Sequence, residues 1–185
     1  MNRKSLFLLL GTLVSWAVYA QAQMMHEHEE SPAPLKAKAV IIGTMEGSNL
    51  LGEVVFTQKV DGVQVEASVA GVEVPGKHGF HVHQYGSCAD TGNAAGGHFN
   101  PKGSPHGYSP DNGEGAHLGD MGNIEINDKG EGVLSLVLPH AALSGENGIA
   151  GRAVILHEKE DDFGQPTGNA GARIGCGIIG FIKAE

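Results

Sequence analysis

The chain reads as all-β: an antiparallel sandwich or barrel of about eight short strands, interrupted by two long loops. Three observations carry this expectation. Apolar residues alternate with polar ones at period two and form no helical stripe after the N-terminal segment. Glycine is abundant, 29 in 185 residues, and punctuates the alternating segments where turns are needed. Two stretches, roughly 84–120 and 157–173, lack either periodicity, and loops of that length are functional or disordered.

The elements follow in chain order. Arg3 and Lys4 make a positive start, Leu6 to Ala20 an apolar run too short for a comfortable membrane span, and Ala20-Gln21-Ala22 a small-residue cleavage site. Residues 1–22 are therefore expected to be a secretory signal peptide, with cleavage after Ala20 the alternative. No cysteine follows the site, which argues against a lipid anchor. The expected product is exported, periplasmic or extracellular, and free of the membrane after cleavage. Residues 23–36 are charged, contain proline and have no period, so they read as a disordered tail. Met24, Met25, His26 and His28 in it suggest weak metal capture, although a solvated linker explains the same composition.

The domain is assigned to residues 37–185. Val63, Val65, Ala67 and Val69 alternate with Gln64, Glu66 and Ser68, the mark of a half-buried strand. Leu134, Leu136 and Leu138 repeat the pattern, and Ile124 and Ile126 do so briefly. The other strands are expected at 38–42, 50–57, 78–84, 152–157 and 177–182.

Charge narrows the function. The formal net charge is −9, and removing Arg3 and Lys4 leaves ten Lys+Arg against 21 Asp+Glu, or −11. That argues against nucleic acid and anionic membranes as partners. Cys88 and Cys176 are the two cysteines of a chain bound for an oxidising compartment, so a disulfide is expected. Closing so long a loop contributes about 4.5 kcal/mol on the chain-entropy account.

The most informative region lies between residues 81 and 120, which holds five of the ten histidines. On a strand His81 and His83 share one face, while Phe80 and Val82 point the other way, into the core. His157 closes a strand whose inward side is Val154 and Leu156. Three histidines on the outer surface of a rigid sheet form a pre-organised metal platform. All-imidazole ligation suits copper, which tops the divalent affinity series and is redox-active. A second group in the long loop, His98, His106, His117 and Asp120, mixes nitrogen and carboxylate donors as zinc prefers. These seven side chains fill two four-ligand sites if one imidazole uses both nitrogens. His78 and His140, standing alone, read as surface or hydrogen-bonded histidines.

Four motifs make the pattern specific: Gly79-Phe80-His81-Val82-His83, Gly97-His98-Phe99-Asn100-Pro101, His117-Leu118-Gly119-Asp120, and Gly168-Asn169-Ala170-Gly171-Ala172-Arg173 running on to Cys176. From about Ala37 to Ile182 the chain resembles the copper–zinc superoxide dismutases. The resemblance implies an eight-stranded Greek-key β-barrel or sandwich with two long functional loops, a fold for which this family is a standard example. It implies His81, His83 and His157 as exclusive copper ligands, His98 as the bridge, and His106, His117 and Asp120 completing the zinc site. Asp161 matches the carboxylate that hydrogen-bonds one histidine from each metal. Cys88 and Cys176 match the disulfide tying the ligand-bearing loop to the barrel.

The implied reaction is dismutation of superoxide, copper being reduced by one anion and reoxidised by the next. His98 would leave copper on reduction and carry a proton to peroxide. Arg173 would hold the anion, a contribution of about 4 kcal/mol for a charge pair near 4 Å at an effective dielectric near 20, and Thr167 would narrow the channel. The alternative is a non-catalytic exported copper- or zinc-binding protein on the same barrel. A homodimer is the expected assembly. Two departures stand out. Cys88 follows Gly86-Ser87, closer to the His-x-His pair than in the animal enzymes. The loop between His157 and Arg173 is short and lacks their charged run, with Gln165 and Pro166 in its place.

Overall fold

The computed structural model describes residues 35–112 and 115–183. The leader and nearly all of the tail, with Met24, Met25, His26 and His28, lie outside them. Nine strands form among the described residues, most where the sequence alternates: β1 (Lys36–Gly43), β2 (Leu51–Lys59), β3 (Gly62–Ala70), β4 (Gly76–Val82), β5 (Asp120–Ile126), β6 (Gly132–Pro139), β7 (Ala153–His157), β8 (Arg173–Ile178) and β9 (Gly180–Ile182). Helix is sparse: a 3₁₀ turn at Asn93–Ala95 and one turn at Ser109–Asn112 interrupt the strands.

The strands pair antiparallel in the order β1-β2-β3-β6-β5-β4-β7-β8, and β8 returns to β1 through Ile42↔Cys176. The sheet is thus a closed eight-stranded barrel. β9 continues β8 along β1 after Ile179, whose side chain is buried. The β3–β4 and β6–β7 connections each skip two strands, which is Greek-key topology.

Packing follows parity. Phe56, Val65 and Leu136 lie in register across β2, β3 and β6 and are buried together. Each such side chain contributes about 1.5–3 kcal/mol by leaving water. Phe80 and Val82 on β4, with Val154 and Leu156 on β7, point into the same core. The opposite face of β7 carries Ala153 and Ile155, which pack with Ala95 and Cys176 in a smaller cluster under the long loop. The Cys88–Cys176 disulfide is formed and pins that loop to β8. His81, His83 and His157 therefore lie on the barrel's outer face, but the loops cover it and leave them 0%, 1% and 6% exposed.

Three boundaries differ from the sequence reading. Asp120 does not lie in the loop; it opens β5 and pairs with His81. The strand expected at 177–182 is divided between β8, which already starts at Arg173, and β9; Ile174, Cys176 and Ile178 alternate only with glycines, which are weak strand formers. Strand β4 ends at Val82, and His83 bridges to His98 instead.

Candidate metal centre

Main-chain pairing sets the donors side by side. His81 lies opposite Asp120 across β4–β5, and His83 opposite His98. Val82 donates to the Gly119 carbonyl, Phe99 to Val82, and Gly119 to Phe99, so both loop motifs are stitched to the end of β4. Across β7–β8, His157 faces Arg173.

Two donor clusters result. The first is His81, His83, His98 and His157; the second is His98, His106, His117 and Asp120; within each, the donor atoms lie within 4.8 Å of one another. All seven side chains are buried, and His98 belongs to both sets.

Four of the imidazoles, His81, His83, His106 and His157, present one nitrogen inward while the other is tied down. His81 Nε2 donates to Asp161 Oδ2 at 2.8 Å, leaving buried Nδ1 with no hydrogen-bond partner. His83 Nδ1 donates to the Gly96 carbonyl at 3.0 Å and His157 Nδ1 to Gly171 at 3.3 Å; their Nε2 atoms face each other 3.3 Å apart. His106 Nε2 donates to Asp161 Oδ1 at 2.9 Å. Its Nδ1 lies 2.8 Å from Asp120 Oδ2 yet lacks hydrogen-bond geometry, so both atoms aim at shared space. Nδ1 of His98 and His117 approach Asp120 Oδ1 at 2.7 and 3.1 Å. Buried nitrogens converging at such distances, two of them (His81 Nδ1 and His106 Nδ1) without any hydrogen-bond partner, fit metal ions, and the donor chemistry fits copper on one side and zinc on the other.

Electrostatics differ between the sides. Burial, reinforced by neighbouring histidines, pushes His83 well below its ordinary value, His98 to about 4 and His157 to about 3. Burial also disfavours the charged His106, but Asp120 and Asp161 outweigh it and hold this imidazole at about 9. Both carboxylates lie far below the usual range despite burial, because histidines hydrogen-bond them.

A cavity of about 450 Å³ opens onto the first cluster, lined by His83, His98, His157, Thr167, Asn169 and Arg173 among others. Arg173 donates to the carbonyls of Gly92 and Gly96, each at 2.6 Å, which orients the guanidinium without neutralising it. Of the residues expected from the sequence, the seven donors lie in the two clusters, Asp161 hydrogen-bonds His81 and His106, and Thr167 and Arg173 line the cavity.

Some contributors escaped the sequence reading. Asn123 clasps the main chain of Asp161, accepting from its N–H at 2.7 Å and donating to its carbonyl at 2.9 Å. Gln165 does the same for His106, at 3.0 and 2.8 Å. Gly168, at φ +77°, has no room for a Cβ, which would collide with Asp161 Oδ1 and His106 Nε2. His78 is buried with its ring nitrogens 2.8 Å from the carbonyls of His157 and Val74, whereas His140 is exposed.

Fold and site define an all-β protein built around two adjacent metal seats that share one imidazole. The copper/zinc superoxide dismutase (SODC) family model matches residues 50–179. The chain is 39% identical over 168 residues to an extracellular Cu-Zn superoxide dismutase of Caenorhabditis elegans, a match spanning 84% of this chain and 73% of the relative. The crystal structure of the clock protein EA4 is similar at TM-score 0.72 and 39% identity, over 84% of this chain and 99% of that one. The chain belongs to the copper/zinc superoxide dismutase family; its reaction is the dismutation of superoxide to dioxygen and hydrogen peroxide, and its cofactors are copper and zinc.

Proposed function

We propose that His81, His83, His98 and His157 hold copper, that His98, His106, His117 and Asp120 hold zinc, and that Arg173 and His98 carry the reaction. The observation supporting this division is the membership of His98 in both donor sets. When bound, copper supplies the one-electron couple that successive superoxide anions reduce and reoxidise, and zinc keeps the His98 ring in place without changing oxidation state. Arg173 draws the anion into the cavity and orients it beside His83 and His157. Local attraction is needed because the chain as a whole is negative. Thr167 narrows the entrance. His98 Nε2 holds the proton that passes to the departing peroxide. Asp161 fixes the ring orientation of His81 and His106, one from each seat.

Residues 1–22 act as the export signal and 23–36 as a linker, with the enzyme domain in 37–185. Export, to periplasm or extracellular space, is supported by the leader's composition and by the extracellular relative. A homodimer is supported by Val40, Ile42, Leu51 and Ile178, apolar side chains about half exposed on the β1–β2–β8 face, where Ile42 pairs with Leu51. Sedimentation equilibrium reads the assembly directly. The ligand division is tested by metal content: wild type is expected to bind one copper and one zinc, and His98→Ala to retain both less well. Weakened retention of one metal alone would overturn it.

A further inference from the structure

Gln165, in the loop between His157 and Arg173, makes a two-point contact with the main chain of His106. His106 sits in the long loop, outside any strand, so no ladder fixes its main chain. Its N–H donates to Gln165 Oε1 and its carbonyl accepts from Gln165 Nε2, across 59 residues of sequence. One side-chain amide carries both an acceptor and donors, so it satisfies both groups at once; a carboxylate or an ammonium satisfies one.

The same short segment holds His106 at two further points. Asp161 accepts from the imidazole Nε2. The Phe163 ring lies nearly parallel to the imidazole, 21° between planes and 6.4 Å between centroids, and meets Tyr108 edge-on. Phe163 adopts φ +58°, a left-handed conformation unfavourable for a bulky side chain, and its N–H donates to Asp161 Oδ1 at 2.8 Å. Such strain persists where surrounding contacts enforce it. Two residues beyond Gln165, Thr167 lines the cavity shared with Arg173.

We propose that Gln165 is a positioning residue for the zinc seat: its amide locks the main chain of His106 and thereby sets how slowly zinc leaves. The inference rests on His106 being a zinc ligand. The clasp joins the channel wall, through Thr167, to the zinc side.

The test loads wild type, Gln165→Ala and Gln165→Glu with copper and zinc, then follows zinc transfer to the chelator 4-(2-pyridylazo)resorcinol and copper retained on the protein. Zinc release is expected to rise about 10-fold in both variants, in line with the loss of other outer contacts to a ligand, with copper retained as in wild type. Cobalt(II) placed in the zinc seat is expected to show a shifted visible absorption in both. Zinc leaving at the wild-type rate, or copper lost in parallel with zinc, would overturn the proposal. His106→Ala separates the two levels: if that variant keeps zinc as tightly as wild type, the ligand assignment fails, and if it loses zinc while the Gln165 variants do not, the clasp alone fails.

Discussion

His157 and Arg173 face each other across β7–β8, at a register shift after Leu156. That pairing puts a guanidinium beside a metal-seat imidazole without joining it to a carboxylate; its acceptors are the carbonyls of Gly92, Asn93 and Gly96. An anion entering the cavity meets a full positive charge already aimed at the seat.

Arg173→Ala is therefore expected to lower kcat/KM by about 10- to 100-fold, within the span known for electrostatic guidance, with both metals still bound. Raising ionic strength is expected to slow wild type more than the variant. Pulse radiolysis over a salt series measures both effects. An unchanged rate would remove the guidance argument.

Acid is expected to strip zinc before copper. Zinc must displace a proton from His106, held at about 9, so its binding weakens as pH falls below that value. On the copper side, His157 at about 3 and the shared His98 at about 4 are uncharged at neutral pH, so neither carries an extra, second ring proton for a metal to displace. Dialysis from pH 7 downward with metal analysis at each step checks the order. The signs also fix the metal-free protein's behaviour. The raised His106 contributes fully below 6.5 and loses that contribution as pH rises through about 9. The depressed His98 and His157 contribute above 6.5 and lose it as pH falls through about 4 and 3. Among these histidines, the stability maximum falls near pH 6.5, readable as a peak in thermal midpoint.

Asp161→Ala leaves the Nε2 donors of His81 and His106 without their acceptor in a dry interior. Retention of both metals is expected to fall about 10- to 100-fold. Competition with chelators of known affinity measures this, and loss of one metal with the other unchanged would contradict the shared role.

Cys88→Ser releases a loop closed over 88 residues. The expected loss reaches about 4.5 kcal/mol on the chain-entropy account, together with faster metal loss, since the freed loop carries Gly96, the acceptor for His83. A thermal midpoint equal to wild type would contradict it.

What the sequence made legible was the part governed by local periodicity. Alternation at Val63, Val65, Ala67 and Val69 gave β3, and the parity of His81 and His83 against Phe80 and Val82 gave the face carrying the metal seats. The spacing of histidines, sharpened by family resemblance, picked out the residues that gather into the two donor clusters. The rest depends on contacts between distant segments. The start of β8 alternates Ile174 and Cys176 with glycines, which are depleted in strands, and its pairing with β7 joins segments far apart in sequence. Asp120 became a strand residue through its register with His81. The covering of the outer face, and the amide clasps of Asn123 and Gln165, join residues 38 and 59 positions apart, for which a single sequence carries no signal.

Central to the account is one imidazole serving two unlike metals. Crystals of the copper- and zinc-loaded protein, with anomalous diffraction recorded at both absorption edges, test it most directly. The account predicts a copper peak beside His98 Nε2 and a zinc peak beside His98 Nδ1. A single peak, or two peaks with His98 touching only one, would contradict it.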